Sequence, residues 1–147
     1  MTSDRAGRQQ AARQAWQAMA DLVLDNERRR EVSDELGMSF GKIKALRRIA
    51  SRPMPMRELA ALLVQDPPNL TPVVDDLERM GLVERQPHPT DRRVKLVAAT
   101  AKGKALAKRA EAILARPPDG LTQLSDEDLA TLARILSGLR HDAPPRY

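Results

Sequence analysis

The segment LVERQPHPTDRRVKLVA, residues 82–98, decides the fold of this chain. Two partly apolar runs flank a polar turn that contains two prolines, which is typical of a β-hairpin. The turn ends in Asp91, Arg92 and Arg93 and therefore gives the hairpin a cationic tip. Arginine suits a narrow, electronegative nucleic-acid groove, but charged turns are also common on ordinary hairpins. The hairpin alone leaves both interpretations open.

The residues before the hairpin predict a helix-turn-helix. A compact helix over Met56–Leu63, a linker over 64–68 and a third helix to about Met80 follow one another closely. A longer helix precedes them, with Ser39 as its N-cap and Pro53 after its end. The residues expected on the inner faces of these helices are Phe40, Ile43, Leu46, Ile49, Leu59, Ala60, Leu63, Leu70, Val73, Val74 and Leu77. A β-hairpin directly after two short helices makes a winged helix, and with the basic tip this pattern favours DNA binding over an ordinary helix pair.

The residues before this region predict one long helix over 9–35, ending at Gly37. Its apolar positions recur with helical spacing at Ala12, Ala15, Trp16, Met19, Leu22 and Val23.

Two further helices are predicted after the hairpin. Thr100 can cap a helix running through Ala115, and the stretch 117–120, PPDG, ends it. Ser125 and Asp128 resemble a capping box at the start of the last helix. The leucines that form a seam along this helix are Leu129, Leu132, Leu136 and Leu139. Exposed apolar faces at both ends would be a liability on a monomer, so we expect a dimer interface built from both ends of the chain.

The composition excludes several classes of protein. The 147 residues include no cysteine, which rules out disulfides and thiolate zinc sites within the chain. With only two histidines, a metal site of several histidines is not expected. No apolar run approaches the roughly 20 residues that cross a bilayer, and the first residues lack the apolar stretch of a secretory signal. We therefore expect a cytoplasmic helical protein with no membrane contact.

The excess positive charge lies in the centre of the chain. Residues 40–103 hold 12 Lys or Arg against 7 Asp or Glu, whereas the two flanks together hold 13 of each sign. The net charge of +5 is thus confined to the predicted winged helix. This distribution is expected of a polyanion-binding module between two structural arms.

The order of these elements resembles the MarR family of bacterial transcriptional regulators. The matching motifs are Arg57-Glu58-Leu59-Ala60, the run VDDLERMGLVER over 74–85, Asp91-Arg92-Arg93 and Thr100-Ala101-Lys102-Gly103. The resemblance implies a mainly helical winged helix-turn-helix with a small β-hairpin wing over 37–99, flanked by dimerisation helices over 1–36 and 100–147. It also implies a homodimer on a pseudo-palindromic operator of double-stranded DNA, without a cofactor. Each recognition helix would enter a major groove and each wing the flanking minor groove.

The resemblance also assigns roles to individual residues. By position, Arg93 corresponds to the minor-groove residue, Asp91 to the carboxylate that braces it and Arg92 to a phosphate contact. In the recognition helix, Asn69 and Thr71 stand where relatives contact bases or phosphates.

Two positions in the recognition helix depart from the family pattern. Pro72 occupies a position that is often polar or basic in relatives, and Asp76 replaces a frequent arginine. Pro72 is tolerable if the helix effectively starts near Asn69, because first-turn amides have no internal partner. Since the helix is otherwise acidic, we expect an unusual operator or an affinity that depends on the wing and on other cations. Those other cations are Lys42, Lys44, Arg57 and Lys95.

Many members of this family release DNA when a small, often aromatic, ligand binds between the dimer arms and the winged domain. The residues that could line such a cleft here are Trp16, Met19, Met38 and Phe40, although the same residues could be ordinary core. The lack of cysteine argues against peroxide sensing, and the two histidines argue against zinc sensing.

The sequence is compared with three kinds of function, of which a regulator fits best. The leading hypothesis is a dimeric transcriptional regulator, acting as a repressor. The second is a winged-helix module that has lost DNA specificity and docks another protein, which the acidic recognition helix and Pro72 motivate. An enzyme is remote, because no nucleophile, glycine-rich phosphate loop or metal-spaced cluster is present in a catalytic pattern.

Overall fold

The computed structural model describes residues 2–24 and 27–139 and is mainly helical with one small sheet. The elements in chain order are α1 (Thr2–Leu24), α2 (Arg28–Leu36), α3 (Phe40–Ser51), β1 (Met54–Pro55), α4 (Met56–Leu63), α5 (Pro67–Arg79), β2 (Val83–Pro87), β3 (Lys95–Ala99), α6 (Ala101–Leu114), α7 (Asp119–Thr122) and α8 (Asp126–Leu139). The winged helix-turn-helix expected from the sequence is confirmed, with α4 and α5 as its two short helices and β2–β3 as its wing.

The N-terminal part contains two helices, so the prediction of one continuous helix over 9–35 was wrong. α1 ends at Leu24 and α2 begins at Arg28. α2 is held separately, because Val32 is fully buried and the Arg28 side chain donates to the carbonyls of Arg116 and Pro117 beyond the end of α6. Gly37 ends α2 as predicted, with the left-handed φ of 64° that glycine accommodates.

The hydrophobic core lies between α3 and the elements packed around it. The fully buried side chains include Ile43, Leu46 and Ile49 of α3, Leu59 of α4, Leu70, Val74 and Leu77 of α5, and Ile113 of α6. Phe40 and Val73, also expected inside, are only half-buried at the edge of this cluster. Because α6 contributes to the same core, the first helix after the wing is packed firmly against the winged region.

The wing belongs to a three-stranded antiparallel sheet in the order β1-β3-β2. β2 and β3 pair in a register that sets Val83 opposite Ala99 and Pro87 opposite Lys95. β1 was not predicted, since two residues are too few to give a strand periodicity; its Met54 lies opposite Val97.

Thr100 connects the wing to α6. Its backbone N–H donates to the Leu82 carbonyl at 3.0 Å, and its hydroxyl donates to the Gly81 carbonyl at 2.7 Å. The same hydroxyl accepts the Gly103 N–H at 3.1 Å, which confirms the predicted N-cap. One residue thereby fixes the end of the hairpin to the start of the next helix.

The last helix begins as predicted. Ser125 Oγ accepts the Asp128 N–H at 3.1 Å, which is half of a capping box. The hydroxyl also donates to the Asp128 carboxylate at 2.9 Å.

Apolar side chains on the two terminal helices stay uncovered in the single chain. On α1, Trp16 and Val23 are 70% and 63% exposed. On α8, no described residue is buried, and Leu136 and Leu139 are exposed. Within residues 2–24 and 27–139, no helix has both the length and the apolarity of a membrane span.

Candidate nucleic-acid interface

The exposed start of α5 presents the residues predicted to meet DNA bases. α5 begins at Pro67 with Asp66 as its N-cap residue, and Asn69, Thr71 and Pro72 are all exposed. Leu70, Val74 and Leu77 occupy the opposite, buried face. The Thr71 hydroxyl donates to the Pro67 carbonyl at 3.1 Å, which fixes the side chain along the first turn. Asn69 and Thr71 are therefore both exposed, on the two flanks of the helix that lie either side of the buried Leu70.

Pro72 lies further inside the helix than expected. α5 starts at Pro67 rather than near Asn69, so Pro72 falls in the second turn, where its missing N–H deprives the Pro68 carbonyl of its usual partner. An uncovered carbonyl is tolerated because this stretch of the helix is exposed. The expectation that Pro72 belongs to an unbonded first turn was wrong.

Cations from neighbouring elements neutralise the acidic side chains of α5. Arg85, on β2, donates to the Asp75 carboxylate at 2.7 Å and also pairs with Glu78. Lys42 of α3 lies 3.0 Å from the Asp76 carboxylate, which pairs with Arg79 as well. Charges that would oppose DNA phosphates are thus compensated within the chain.

The pKa shifts agree with this pairing. The hydrogen bond from Lys42, followed by the charges of Lys42 and Arg79, holds the pKa of Asp76 below its ordinary value despite partial desolvation. The hydrogen bond to Asp75 raises the pKa of Arg85, and Glu78 adds to the effect. Asp76 is therefore ionised at neutral pH, and its carboxylate is paired with Lys42 and Arg79. Lys42 is occupied in the same pair and is less available to DNA than the sequence suggested.

The tip of the wing is ordered by backbone hydrogen bonds. Asp91 Oδ1 accepts the backbone N–H of Arg93 at 3.0 Å, so the carboxylate braces the main chain of Arg93. The His88 N–H donates to the Val94 carbonyl at 3.1 Å, and the Val94 N–H donates to the Asp91 carbonyl at 3.1 Å. Arg92 and Arg93 are exposed at the end of this turn, which leaves both guanidinium groups accessible.

Sequence reasoning missed the role of His88. Its Nδ1 accepts the backbone N–H groups of Thr90 and Asp91 at 3.2 and 3.1 Å, so the half-buried imidazole closes the turn from inside. A histidine between two prolines gives no sequence signal for this role, because the contacts depend on how the turn folds back. The pairing of Arg85 with Asp75 and Glu78 was also missed, because it depends on how β2 packs against α5.

Of the remaining predicted cations, Lys44 is exposed on α3, and Arg57 and Lys95 lie on α4 and β3. Arg57, on α4, is exposed beside the Arg52–Glu58 ion pair, and Lys95 is exposed at the start of β3. Among the described residues, neither Arg57 nor Lys95 has a carboxylate within 4.0 Å, so neither is held in an ion pair.

The four predicted ligand-cleft residues do not line one cavity. Met38 is buried in the core, and Phe40 packs against the core with the Arg29 guanidinium 5.2 Å from its ring centre. Trp16 is exposed on α1, and Met19 is half-buried. A cavity of about 490 Å³ does open between α1, α2 and the segment after α6, but its lining residues are Ala18, Asp21, Leu22, Glu27, Arg28, Pro118 and Asp119.

Two of the matches to known sequences identify the family. A sequence model of the MarR family matches residues 41–95. A Thauera aromatica protein, named for transcriptional regulation of the hcr operon, is 32% identical over 112 residues. That match covers 75% of this chain and 68% of the Thauera protein.

Comparison with solved structures gives the same architecture. Apo MarR from E. coli superposes with a TM-score of 0.72 at 24% identity, covering 84% of this chain and 94% of that one. A mutant of E. coli MarR in complex with operator DNA has a TM-score of 0.58 at 25% identity, covering 80% and 89%. CouR from Rhodococcus jostii RHA1, bound to p-coumaroyl-CoA, has a TM-score of 0.57 at 25% identity, covering 80% and 85%.

Proposed function

Because the chain belongs to the MarR family, whose members regulate transcription and are not enzymes, we propose that it is a dimeric repressor that binds a pseudo-palindromic operator in the bacterial cytoplasm. Asn69 and Thr71 would read the major groove, and Arg93 would enter the minor groove with Arg92 on phosphate. The observation that carries this proposal is the charge arrangement around α5. Its carboxylates are paired inside the chain, whereas Arg92 and Arg93 project from a wing that hydrogen bonds hold in place.

The ion pairs formed by the carboxylates of α5 weaken the case for the alternative, a module that docks another protein. That alternative was motivated by an acidic recognition helix, and the acidic groups are compensated by Lys42, Arg79 and Arg85. The solved structure of a related MarR bound to operator DNA supports the DNA-binding choice.

The test is the binding of full-length protein to the intergenic DNA beside its own gene, measured by fluorescence anisotropy. We expect specific binding that weakens steeply between about 50 and about 200 mM salt, because phosphate contacts release counterions. Arg93→Ala should weaken binding by about tenfold or more, whereas Arg109→Ala, an exposed cation on α6, should leave it unchanged. The absence of specific binding at low salt would favour the protein-docking alternative.

Dimerisation through the terminal helices is supported by the uncovered apolar side chains of α1 and α8. We expect a dimer by light scattering, and a shift toward monomer when Leu136 and Leu139 are changed to Gln. A monomeric wild-type protein at micromolar concentration would contradict this part of the proposal.

Release of DNA by a small aromatic effector is the third part of the proposal. Its support is the related CouR, whose solved structure holds p-coumaroyl-CoA, together with the cavity between α1 and α2. Aromatic acids and their CoA thioesters should be screened for displacement of the operator. Asp21→Ala and Leu22→Ala would then test the lining of this cavity. Trp16→Ala and Met19→Ala would test the lining predicted from the sequence, with Met38 and Phe40 excluded from the first round because they contribute to the core.

A further inference from the structure

A groove between α3 and α6 concentrates positive charge away from the predicted DNA-contacting residues. Its cavity of about 340 Å³ is lined by Lys44, Arg47, Arg48 and Ser51 of α3 and by Glu111 of α6. We call it the α3–α6 groove. Of the cations expected to support DNA binding, Lys44 lines the groove, whereas Asn69, Thr71 and Arg93 do not, so the operator contacts proposed above do not explain Arg47 and Arg48.

Arg47 in this groove has an unsatisfied hydrogen-bond donor. Its Nε is buried and has no acceptor among the described residues. The Glu111 carboxylate is 3.8 Å from Nε, which is beyond hydrogen-bond distance. A buried donor without an acceptor is costly, so this guanidinium is placed to gain from an oxygen acceptor supplied by a ligand.

The charges of the α3–α6 groove do not balance. Three cations face a single carboxylate, and within the described chain neither Lys44 nor Arg48 has a carboxylate within 4.0 Å. Three cations against one carboxylate leave a formal excess of two positive charges, of which the negative C-terminal end of α3, close to Arg48 in the last turn, offsets only a fraction.

A second cavity adjoins the first and offers room for an organic group. It measures about 250 Å³ and shares Ser51 with the α3–α6 groove. Its lining residues are Ile49, Ala50, Ser51, Arg52, Pro53, Gln86, Ala98, Ala99 and Lys104. The pair of cavities thus joins a strongly cationic end to a more apolar end with two further cations, Lys104 and Arg52, of which Arg52 is paired with Glu58.

We infer that the α3–α6 groove binds a small phosphate-bearing molecule, with the phosphate at Lys44, Arg47 and Arg48. A phosphate monoester carries about −1.5 to −2 charges at neutral pH, which matches the local excess. Arginine binds phosphate through paired, charge-assisted hydrogen bonds, and the phosphate oxygens would supply the acceptor that Arg47 lacks. The organic part of the molecule would extend past Ser51 into the adjoining cavity. This inference does not depend on operator binding.

The test uses the full-length protein in a phosphate-free buffer at constant ionic strength. Isothermal titration with glucose 6-phosphate and with inorganic phosphate should show saturable binding, whereas glucose, the uncharged analogue, should show none. Arg48→Ala and Lys44→Ala should each weaken that binding by about tenfold or more, as expected for loss of a charge-assisted bond. Lys108→Ala, an exposed α6 cation outside both cavities, is the matched control and should bind as the wild type does.

The outcomes separate a small-molecule phosphate from the phosphates of DNA. Equal affinities in Arg48→Ala and Lys108→Ala, or no saturable binding, would overturn the inference. So would loss of operator affinity in Arg48→Ala without any binding of the two phosphates, since that result assigns the cations to the DNA backbone. If Arg48→Ala fails to fold, Lys44→Ala carries the test, because Lys44 is exposed.

Discussion

Gly103, in the first turn of α6, lies directly against the backbone carbonyl of Leu82 at the start of the wing. A Cβ added at Gly103 would stand 1.9 Å from the Leu82 oxygen and 2.9 Å from its carbonyl carbon. The obstacle is backbone rather than a flexible side chain, and Thr100 holds the same carbonyl through its N–H. The Thr100-x-x-Gly103 motif is therefore a packing device, in which threonine joins the hairpin to the helix and glycine makes room for that contact.

We expect Gly103→Ala to destabilise the fold by at least about 1–3 kcal/mol, the usual range for forced overpacking. Alanine normally stabilises a helix relative to glycine by roughly 0.5–1 kcal/mol. A net loss of stability would therefore have to come from the clash with Leu82. Urea unfolding followed by circular dichroism measures the change. Gly41→Ala is the control, because a Cβ there meets no atom within 4 Å, and it should be neutral or slightly stabilising.

Arg85→Leu should weaken operator binding although Arg85 is not among the proposed DNA contacts. Removing the guanidinium leaves Asp75 and Glu78 uncompensated on the recognition helix. Unpaired like charges near phosphates are repulsive, and we expect a loss of roughly tenfold at low salt. The measurement is fluorescence anisotropy with operator DNA.

The control for this prediction restores charge balance without restoring arginine. In Arg85→Leu combined with Asp75→Asn and Glu78→Gln, affinity should return close to that of the wild type. A triple variant as weak as the single one would show that Arg85 acts through wing geometry rather than through charge.

His88→Ala should loosen the wing tip while leaving the core intact. The backbone N–H groups of Thr90 and Asp91 would lose their shared acceptor, and Arg93 would lose part of its support. We expect faster amide hydrogen exchange at Thr90 and Asp91 and weaker operator binding, with little change in the unfolding midpoint. His88→Asn, whose side-chain oxygen can accept a hydrogen bond, should retain more affinity than His88→Ala. Equal exchange rates in the wild type and His88→Ala would refute the role of the imidazole.

The local helix signals were readable from the sequence because they depend on residues close together in the chain. Ser39, Thr100 and Ser125 each cap a helix as predicted, and Gly37 ends one. The hairpin was equally readable from its two apolar runs and its turn.

The site was less readable because its electrostatics depend on packing between distant elements. Lys42 is 34 positions before Asp76 in the sequence and reaches it only because α3 packs on α5. The sequence predicts an acidic recognition helix. In the folded chain, however, the carboxylates of Asp75, Asp76 and Glu78 each pair with a cation. The start of α2 at Arg28 was missed for the same reason, since Arg28 is held by contacts with residues after α6.

Stability should fall in acid, in part through Asp76. A carboxyl whose pKa is lower in the folded than in the unfolded chain stabilises the fold above the unfolded pKa. That contribution is lost as the pH falls through the folded pKa. The hydrogen bond from Lys42 is the main cause of the lowered pKa of Asp76. Hydrogen bonds from Arg28 and Arg116 lower the pKa of Glu31 in the same way. The urea midpoint should therefore decrease below about pH 4, the ordinary range of carboxyl groups.

Lys42→Met separates the Asp76 contribution from the other carboxyl groups. This variant removes the largest cause of the lowered pKa of Asp76, so its urea midpoint should depend less steeply on pH between pH 6 and pH 3. A matched substitution, Lys44→Met, should keep the wild-type slope, because Lys44 has no ion pair with a described carboxylate. Identical slopes in the wild type and both variants would contradict the assignment.

Val64→Gly should stabilise the protein, which is unusual for the loss of a hydrophobic side chain. Val64 ends α4 in the left-handed conformation, with φ 53° and ψ 49°, and its side chain is 91% exposed. This conformation costs a residue other than glycine about 1–3 kcal/mol, whereas the added freedom of glycine in the unfolded chain costs roughly 0.5–1 kcal/mol. No buried contact is lost, so we expect a net gain of about 1 kcal/mol and a melting temperature higher by a few degrees. Val64→Ala keeps a Cβ in the strained conformation and should gain less; a glycine variant that melts no higher than the alanine variant would show that the turn stores no strain at Val64.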